Sequence, residues 1–151
     1  MPRPVVSRVF LWTACVLALP APALPMTTYY GIGYPLAVVW QHQLMALLRP
    51  GPINVGKLGG LGSLVLLVSL MLFILSSPWL VRFYARSNPL RWIARLLAVA
   101  YAGLLATCLH LFLSHPQPVP GSALLLLTSA ALLHFIGLCL IDGSGNGEAS
   151  A

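Results

Sequence analysis

Between Lys57 and Arg82 run 24 residues without a formal charge, LGGLGSLVLLVSLMLFILSSPWLV. As a helix rising 1.5 Å per residue this segment is about 36 Å long, more than the roughly 30 Å hydrocarbon core of a bilayer. A helix that is apolar all round has no solvated face, so it needs either a large protein interior or a membrane. The chain has 151 residues, 59% of them hydrophobic and 7% charged, against roughly 25% charged in a soluble domain. Too few polar groups remain to clothe a soluble protein around such a helix. This excludes a soluble enzyme, a nucleic-acid-binding domain and a disordered tail. What remains is a single polytopic membrane domain over residues 1–151.

Three further apolar runs accompany the first, over 9–26, 92–113 and 122–141. The run at 9–26 supports two readings. Its core VFLWTACVLAL has the length of a signal-peptide apolar region, and Ala21-Pro22-Ala23 fits an A-x-A cleavage site. Extended through Leu24, Pro25 and Met26 it reaches the lower limit for a span. Pro20, Pro22 and Pro25 break the helix at its outer end. A retained helix and a cleaved signal both stay open at this point, and both leave the rest of the topology unchanged.

Lys plus Arg is 8 and Asp plus Glu is 2, a net charge of +6. The positives are placed as a topology signal. Arg82, Arg86, Arg91 and Arg95 cluster between the second and third runs, and Arg3 and Arg8 precede the first. The positive-inside rule puts these six in the cytoplasm and leaves Arg49 and Lys57 outside. The spans are then 9–26, 58–81, 92–113 and 122–141, with both termini inside and the cell (inner) membrane as location. Pro78 and Trp79 mark the end of the second span, Asn88-Pro89 reads as a turn, and Arg95 snorkels from the first turn of the third span. Residues 114–121, with three prolines, form a tight outer loop, and 142–151 a flexible tail.

The connection at 27–57 is unusual because no formal charge occurs between Val9 and Leu48. It opens with TTYYGIGYP, then LAVVWQHQLMALL over 36–48 reads as a helix with Leu36, Val39, Trp40, Leu44, Leu47 and Leu48 at helical spacing. Thirteen residues are too few to span, and a span there would export the arginine cluster. An interfacial or re-entrant helix on the outer face is expected. Tyr29, Tyr30, Tyr34 and Trp40 are aromatic types enriched at interaction surfaces, and Gln41, His42 and Gln43 require hydrogen-bond partners if withdrawn from water. These seven residues form the candidate interaction surface, for a partner or for lipid headgroups; an aromatic belt anchoring the helix is the simpler alternative.

Motifs for chemistry are weak. Gly51-Pro52-Ile53-Asn54-Val55-Gly56-Lys57-Leu58 matches G-x-x-x-x-G-K but has Leu where a phosphate-binding loop needs Ser or Thr for magnesium. Pro52 also removes one N–H from the cradle. Cys15, Cys108 and Cys139 have no second Cys nearby and read as small packing residues. The spans carry no buried carboxylate, which disfavours an ion-coupled carrier. His110 and His134 could ligate a haem iron only at a common depth. At 1.5 Å per residue they sit about 4–5 and about 18 Å from their outer helix ends, a mismatch of about 13 Å. His42, His110 and His115 share the outer side but lack any H-x-x-x-H spacing. No catalytic residue, cofactor or metal is therefore assigned.

Small residues say more. Ala94, Ala98, Ala102 and Ala106 recur every four residues, with His110 next in the row; Ala130, His134 and Gly137 occupy adjoining turns of the last span. Such rows let helix backbones approach where no hydrophobic effect drives association. This makes the third span the expected hub, with Ala94, Ala98, Ala102, Ala106, His110 and His134 as candidate packing residues.

The expected fold class is all-α: an integral membrane bundle of four transmembrane helices plus one short outer interfacial helix. The expected function is non-enzymatic: an accessory subunit, assembly factor or immunity-type protein acting by helix–helix contact. Its partners are the lipid bilayer and other membrane subunits or a second copy of itself, not nucleic acid. A pore or small transporter protomer, supported by Ser, Thr and His inside the spans, and a membrane redox or haem subunit are the alternatives.

Overall fold

The computed structural model describes residues 3–29, 32–49, 55–114 and 119–141, with side chains at 5–26, 33–49, 61–114 and 120–141. The elements are helix α1 (Arg3–Ala18), a 3-10 turn (Ala21–Ala23), strands β1 (Pro25–Tyr29) and β2 (Ile32–Pro35), and helices α2 (Leu36–Leu48), α3 (Val55–Arg86) and α4 (Asn88–Leu113). Strand β3 (Val119–Pro120) and helix α5 (Ser122–Cys139) follow. The protein is mostly helical, and four helices are long and apolar enough to cross a membrane: those within Val5–Ala23, Leu61–Arg86, Asn88–Leu113 and Ser122–Cys139.

Contacts between helices give their directions. Cys15 of α1 meets Ile74 of α3, Trp12 meets Trp79, and Arg8 and Arg82 line one groove, so α1 and α3 are antiparallel. Ser7 and Leu11 of α1 meet Gly137 of α5, and Arg95 of α4 meets Leu138 of α5. The four long helices therefore alternate in direction. One end of the bundle collects Arg3 and Arg8 of α1, Arg82 and Arg86 of α3, and Arg91 and Arg95 of α4; Arg49 and Lys57 lie toward the other.

The hub is α5, not α4. Helix α5 packs most extensively on α1 and α4 and buries Ala123, Leu124, Leu127, Ala130, Ala131 and Leu138. Half of the spanning window of α5 is buried, against 17% of that of α4. The alanines of α4 still line a contact, but that helix sits at the edge. Outward, Val9, Val16, Leu72, Leu96 and Val99 are 50–65% exposed, so the long helices present apolar side chains away from the bundle.

Several boundaries differ from those read in the sequence. Helix α1 begins at Arg3 and ends at Ala18 rather than running 9–26, since the following prolines lack the N–H groups a helix needs. Helix α3 does not stop near Pro78 but continues to Arg86. Asn88 and Pro89 are the first residues of α4 instead of a turn; Pro fits there because N-terminal N–H groups have no helical acceptor. Ser87 alone separates α3 from α4. Arg95 consequently lies at the end of the second turn of α4, not in its first.

Beside the expected helices stands one element that the sequence did not reveal. A three-stranded antiparallel sheet, ordered β2-β1-β3, closes the end of the bundle opposite the arginines. Pairing runs Thr28↔Gly33 and Tyr29↔Ile32 on one side of β1, and Thr27↔Pro120 and Thr28↔Val119 on the other. Pro25 and Pro35 stand at strand ends, where a missing donor does not interrupt the ladder. The Gly121 N–H donates to the Met26 carbonyl at 2.9 Å, and a Cβ at Gly121 would collide with the Pro25 carbonyl. Only glycine lets α5 start so close beneath β1.

Candidate functional site

The closed end carries the surface singled out in the sequence. Helix α2 has the bounds expected of it, and its start is pinned by the Leu36 N–H donating to the Leu24 carbonyl at 2.9 Å. Leu36 is fully buried. One turn on, Trp40 packs half-buried against the core, its indole N–H enclosed with no hydrogen-bond acceptor among the described residues. Gln43 is half-buried and its Oε1 accepts from the Ser63 hydroxyl of α3 at 3.4 Å. Trp40 and Gln43 thus attach α2 to the bundle.

Gln41 and His42 face outward. With them, on the same side of the helix, stand Leu44, Met45 and Leu48, 49%, 53% and 71% exposed. Tyr34 on β2 is 59% exposed beside the start of α2. Tyr29 belongs to β1, its side chain outside the described atoms, and Tyr30 lies outside the described residues. The seven candidates therefore divide into outward Tyr34, Gln41 and His42 and inward Trp40 and Gln43. Leu44 and Leu48 counted in the sequence only toward the helical spacing shared with Trp40, and Met45 not at all; none of the three was among the seven candidates. Their i, i+3, i+4 and i+7 relation to Gln41 was the available signal.

Inside the bundle, polar side chains bond to neighbouring helices. The Ser77 hydroxyl donates to the Phe73 carbonyl at 2.7 Å and lies 2.6 Å from His134 Nε2. Ser77 has one proton, so His134 Nε2–H is the donor of the second bond. Phe73 stacks edge-on against the His134 ring at 4.7 Å. Ser69 and Tyr101 join α3 to α4 at 2.7 Å, and Ser7 donates to the Gly137 carbonyl at 2.8 Å. Ala94, Ala98 and Ala102 are buried, whereas Ala106 and His110 are exposed. A row of residues four apart rotates about 40° per step around its helix, so it leaves a contact after two or three turns. His110 and His134 are not brought together. Residues 51–54 of the G-x-x-x-x-G-K segment and His115 fall outside the described residues, while Val55, Gly56 and Lys57 form the start of α3.

At the arginine end, Arg95 crosses from α4 to the C-terminus of α5. Its Nε donates to the Leu138 carbonyl at 3.1 Å, and Nη2 to the Cys139 and Ile141 carbonyls at 3.0 and 2.9 Å. The Leu138 carbonyl also accepts from the Ile141 N–H at 3.3 Å, and a cation at this helix end meets the negative end of the helix dipole. The guanidinium lies 5.6 Å from the Trp92 ring. Comparison with protein-family models, curated proteins and solved structures finds no match for this chain.

Proposed function

We propose that this protein is a multi-pass, non-enzymatic component of the cell membrane that docks another membrane protein through the outward face of α2. The observation carrying this reading is the strip Gln41, His42, Leu44, Met45 and Leu48, which is exposed although Trp40 and Gln43 hold the helix firmly to the bundle. A mixed polar and apolar strip on a rigid support is the kind of surface that buries well against a partner. The hydroxyl and imidazole groups inside the bundle serve helix–helix contacts, in keeping with a scaffold. In this reading the arginine end faces the cytoplasm, both termini are inside, and the sheet with α2 lies at the outer surface. Helix α1, seated against α3 and α5, is retained as a bundle helix.

The test places a photo-activatable amino acid at Met45 and, separately, at Val99 on the exposed belt of α4. Illumination of native membranes should give one discrete protein adduct from Met45 and lipid adducts from Val99. Lipid adducts alone at both positions would refute docking and leave α2 as an interfacial anchor.

A further inference from the structure

We infer that the groove between α1 and α3 at the arginine end is a binding site for an anionic phospholipid. Arg8 and Arg82, one from each helix, line a groove of about 340 Å³ together with Trp12, Trp79, Pro78 and Val81. The two indoles of this groove meet edge to face at 5.1 Å. Both acidic residues of the chain, Asp142 and Glu148, lie outside the described residues, so no carboxylate among those described answers this pair. Two guanidinium groups from different helices suit a phosphodiester, which accepts hydrogen bonds from both.

A second feature selects a lipid over free phosphate. Arg8 and Trp12 also belong to an exposed, mostly apolar face of α1 made with Val5, Val9, Thr13 and Val16. The Thr13 hydroxyl donates to the Val9 carbonyl at 2.8 Å, so that face offers a hydrocarbon chain no unanswered donor. A charged socket that continues onto an exposed apolar helix face matches an amphiphile: phosphate between Arg8 and Arg82, tryptophans at the glycerol level, one acyl chain laid along Val9, Thr13 and Val16. The reach from Arg8 to Val16 is about 12 Å along the helix, enough for the upper part of a chain.

The inference rests on the membrane reading but not on docking by α2. It is tested by native mass spectrometry of the full chain in detergent, titrated with phosphatidylglycerol or with phosphatidylcholine of the same acyl chains. One arginine near an anionic headgroup is worth about a fivefold gain in affinity, so two predict a preference for phosphatidylglycerol of about 30-fold. Arg8→Gln with Arg82→Gln should abolish that preference, while Arg86→Gln, outside the groove, should preserve it. Both positions are exposed, and an unchanged melting temperature in each variant confirms folding. Equal binding of the two lipids, or equal loss in Arg86→Gln, overturns the site and leaves the membrane reading standing. Displacement of the lipid by millimolar inorganic phosphate overturns the amphiphile assignment. A chain that stays soluble and monomeric without detergent overturns the membrane reading itself.

Discussion

The Cys15 thiol of α1 donates to the Ile74 carbonyl of α3 at 3.2 Å. That carbonyl is the one a helix would bond to the N–H of residue 78, and residue 78 is proline. A neighbouring helix therefore supplies the missing donor, and α3 continues through Pro78 for two more turns. Those turns place Arg82 opposite Arg8 and carry the chain to its one-residue joint at Ser87. A thiol that reads as packing alone also completes a backbone.

The pairing predicts a coupled effect. Cys15→Ala should destabilise the protein by about 1 kcal/mol, the scale of an interhelical hydrogen bond in a membrane protein. In a Pro78→Ala background residue 78 has its own N–H, and the same substitution should cost much less. A double-mutant cycle on unfolding in detergent measures the difference. Strictly additive effects would show that Cys15 does not serve the Ile74 carbonyl.

Helices α1 and α5 pack tightly at Gly137. A Cβ there would lie 2.9 Å from Leu11 Cγ and 3.2 Å from Phe10 Cβ, and it would also disturb the Ser7 bond to the Gly137 carbonyl. Gly137→Ala should cost about 1–3 kcal/mol by overpacking. At Gly103 a Cβ would meet nothing within 4 Å, so Gly103→Ala should be tolerated or gain slightly from helix propensity. Thermal unfolding of the two variants ranks them, and a rescue of Gly137→Ala by Leu11→Ala would confirm the contact.

Arg95 should be the arginine most costly to replace. Arg95→Gln removes bonds to three carbonyls at the end of α5, with an expected loss of about 2 kcal/mol. Arg95→Lys should recover part of it, because one ammonium cannot reproduce the planar fork. Faster amide exchange in the last turn of α5, read by mass spectrometry, should accompany both. Arg86→Gln, at the exposed end of α3, should leave that exchange unchanged.

The alanine row of α4 gives a graded test. Ala102→Leu inserts bulk where α4 is buried, while Ala106→Leu points away from the bundle. The first should lower the yield of folded protein in detergent and the second should not. Equal effects would mean that α4 turns a different face to the bundle.

Orientation is tested by cysteine accessibility. With the arginine end inside, Ser87→Cys in intact cells should resist an impermeant thiol reagent, and Gln117→Cys should react. Reaction at Ser87→Cys alone would invert the proposed topology.

Charge and hydropathy along the chain determined four helices able to span a membrane, a short helix at 36–48 and arginines gathered at one end. These follow from one-dimensional physics: an apolar run in lipid must satisfy its backbone within itself, and a charge marks where the run stops. The spacing of Leu36, Val39, Trp40, Leu44, Leu47 and Leu48 likewise marked a helix over 36–48, but not which of its residues turn outward. Tertiary structure alone decided what those faces meet. Small residues occur in every long helix, so only packing could show that α5 lies at the centre and that the row of α4 leaves its contact after Ala102. The sheet joins Thr27 and Thr28 to residues 119 and 120, a pairing too distant along the chain for local periodicity to reveal. Pro78 reads as a helix end until Cys15 is seen beside Ile74, and Arg95 reads as a snorkelling cation until the end of α5 is seen beneath it. In each case an unsatisfied backbone group is answered by a side chain from another helix, and such a partner exists only once the chain has folded.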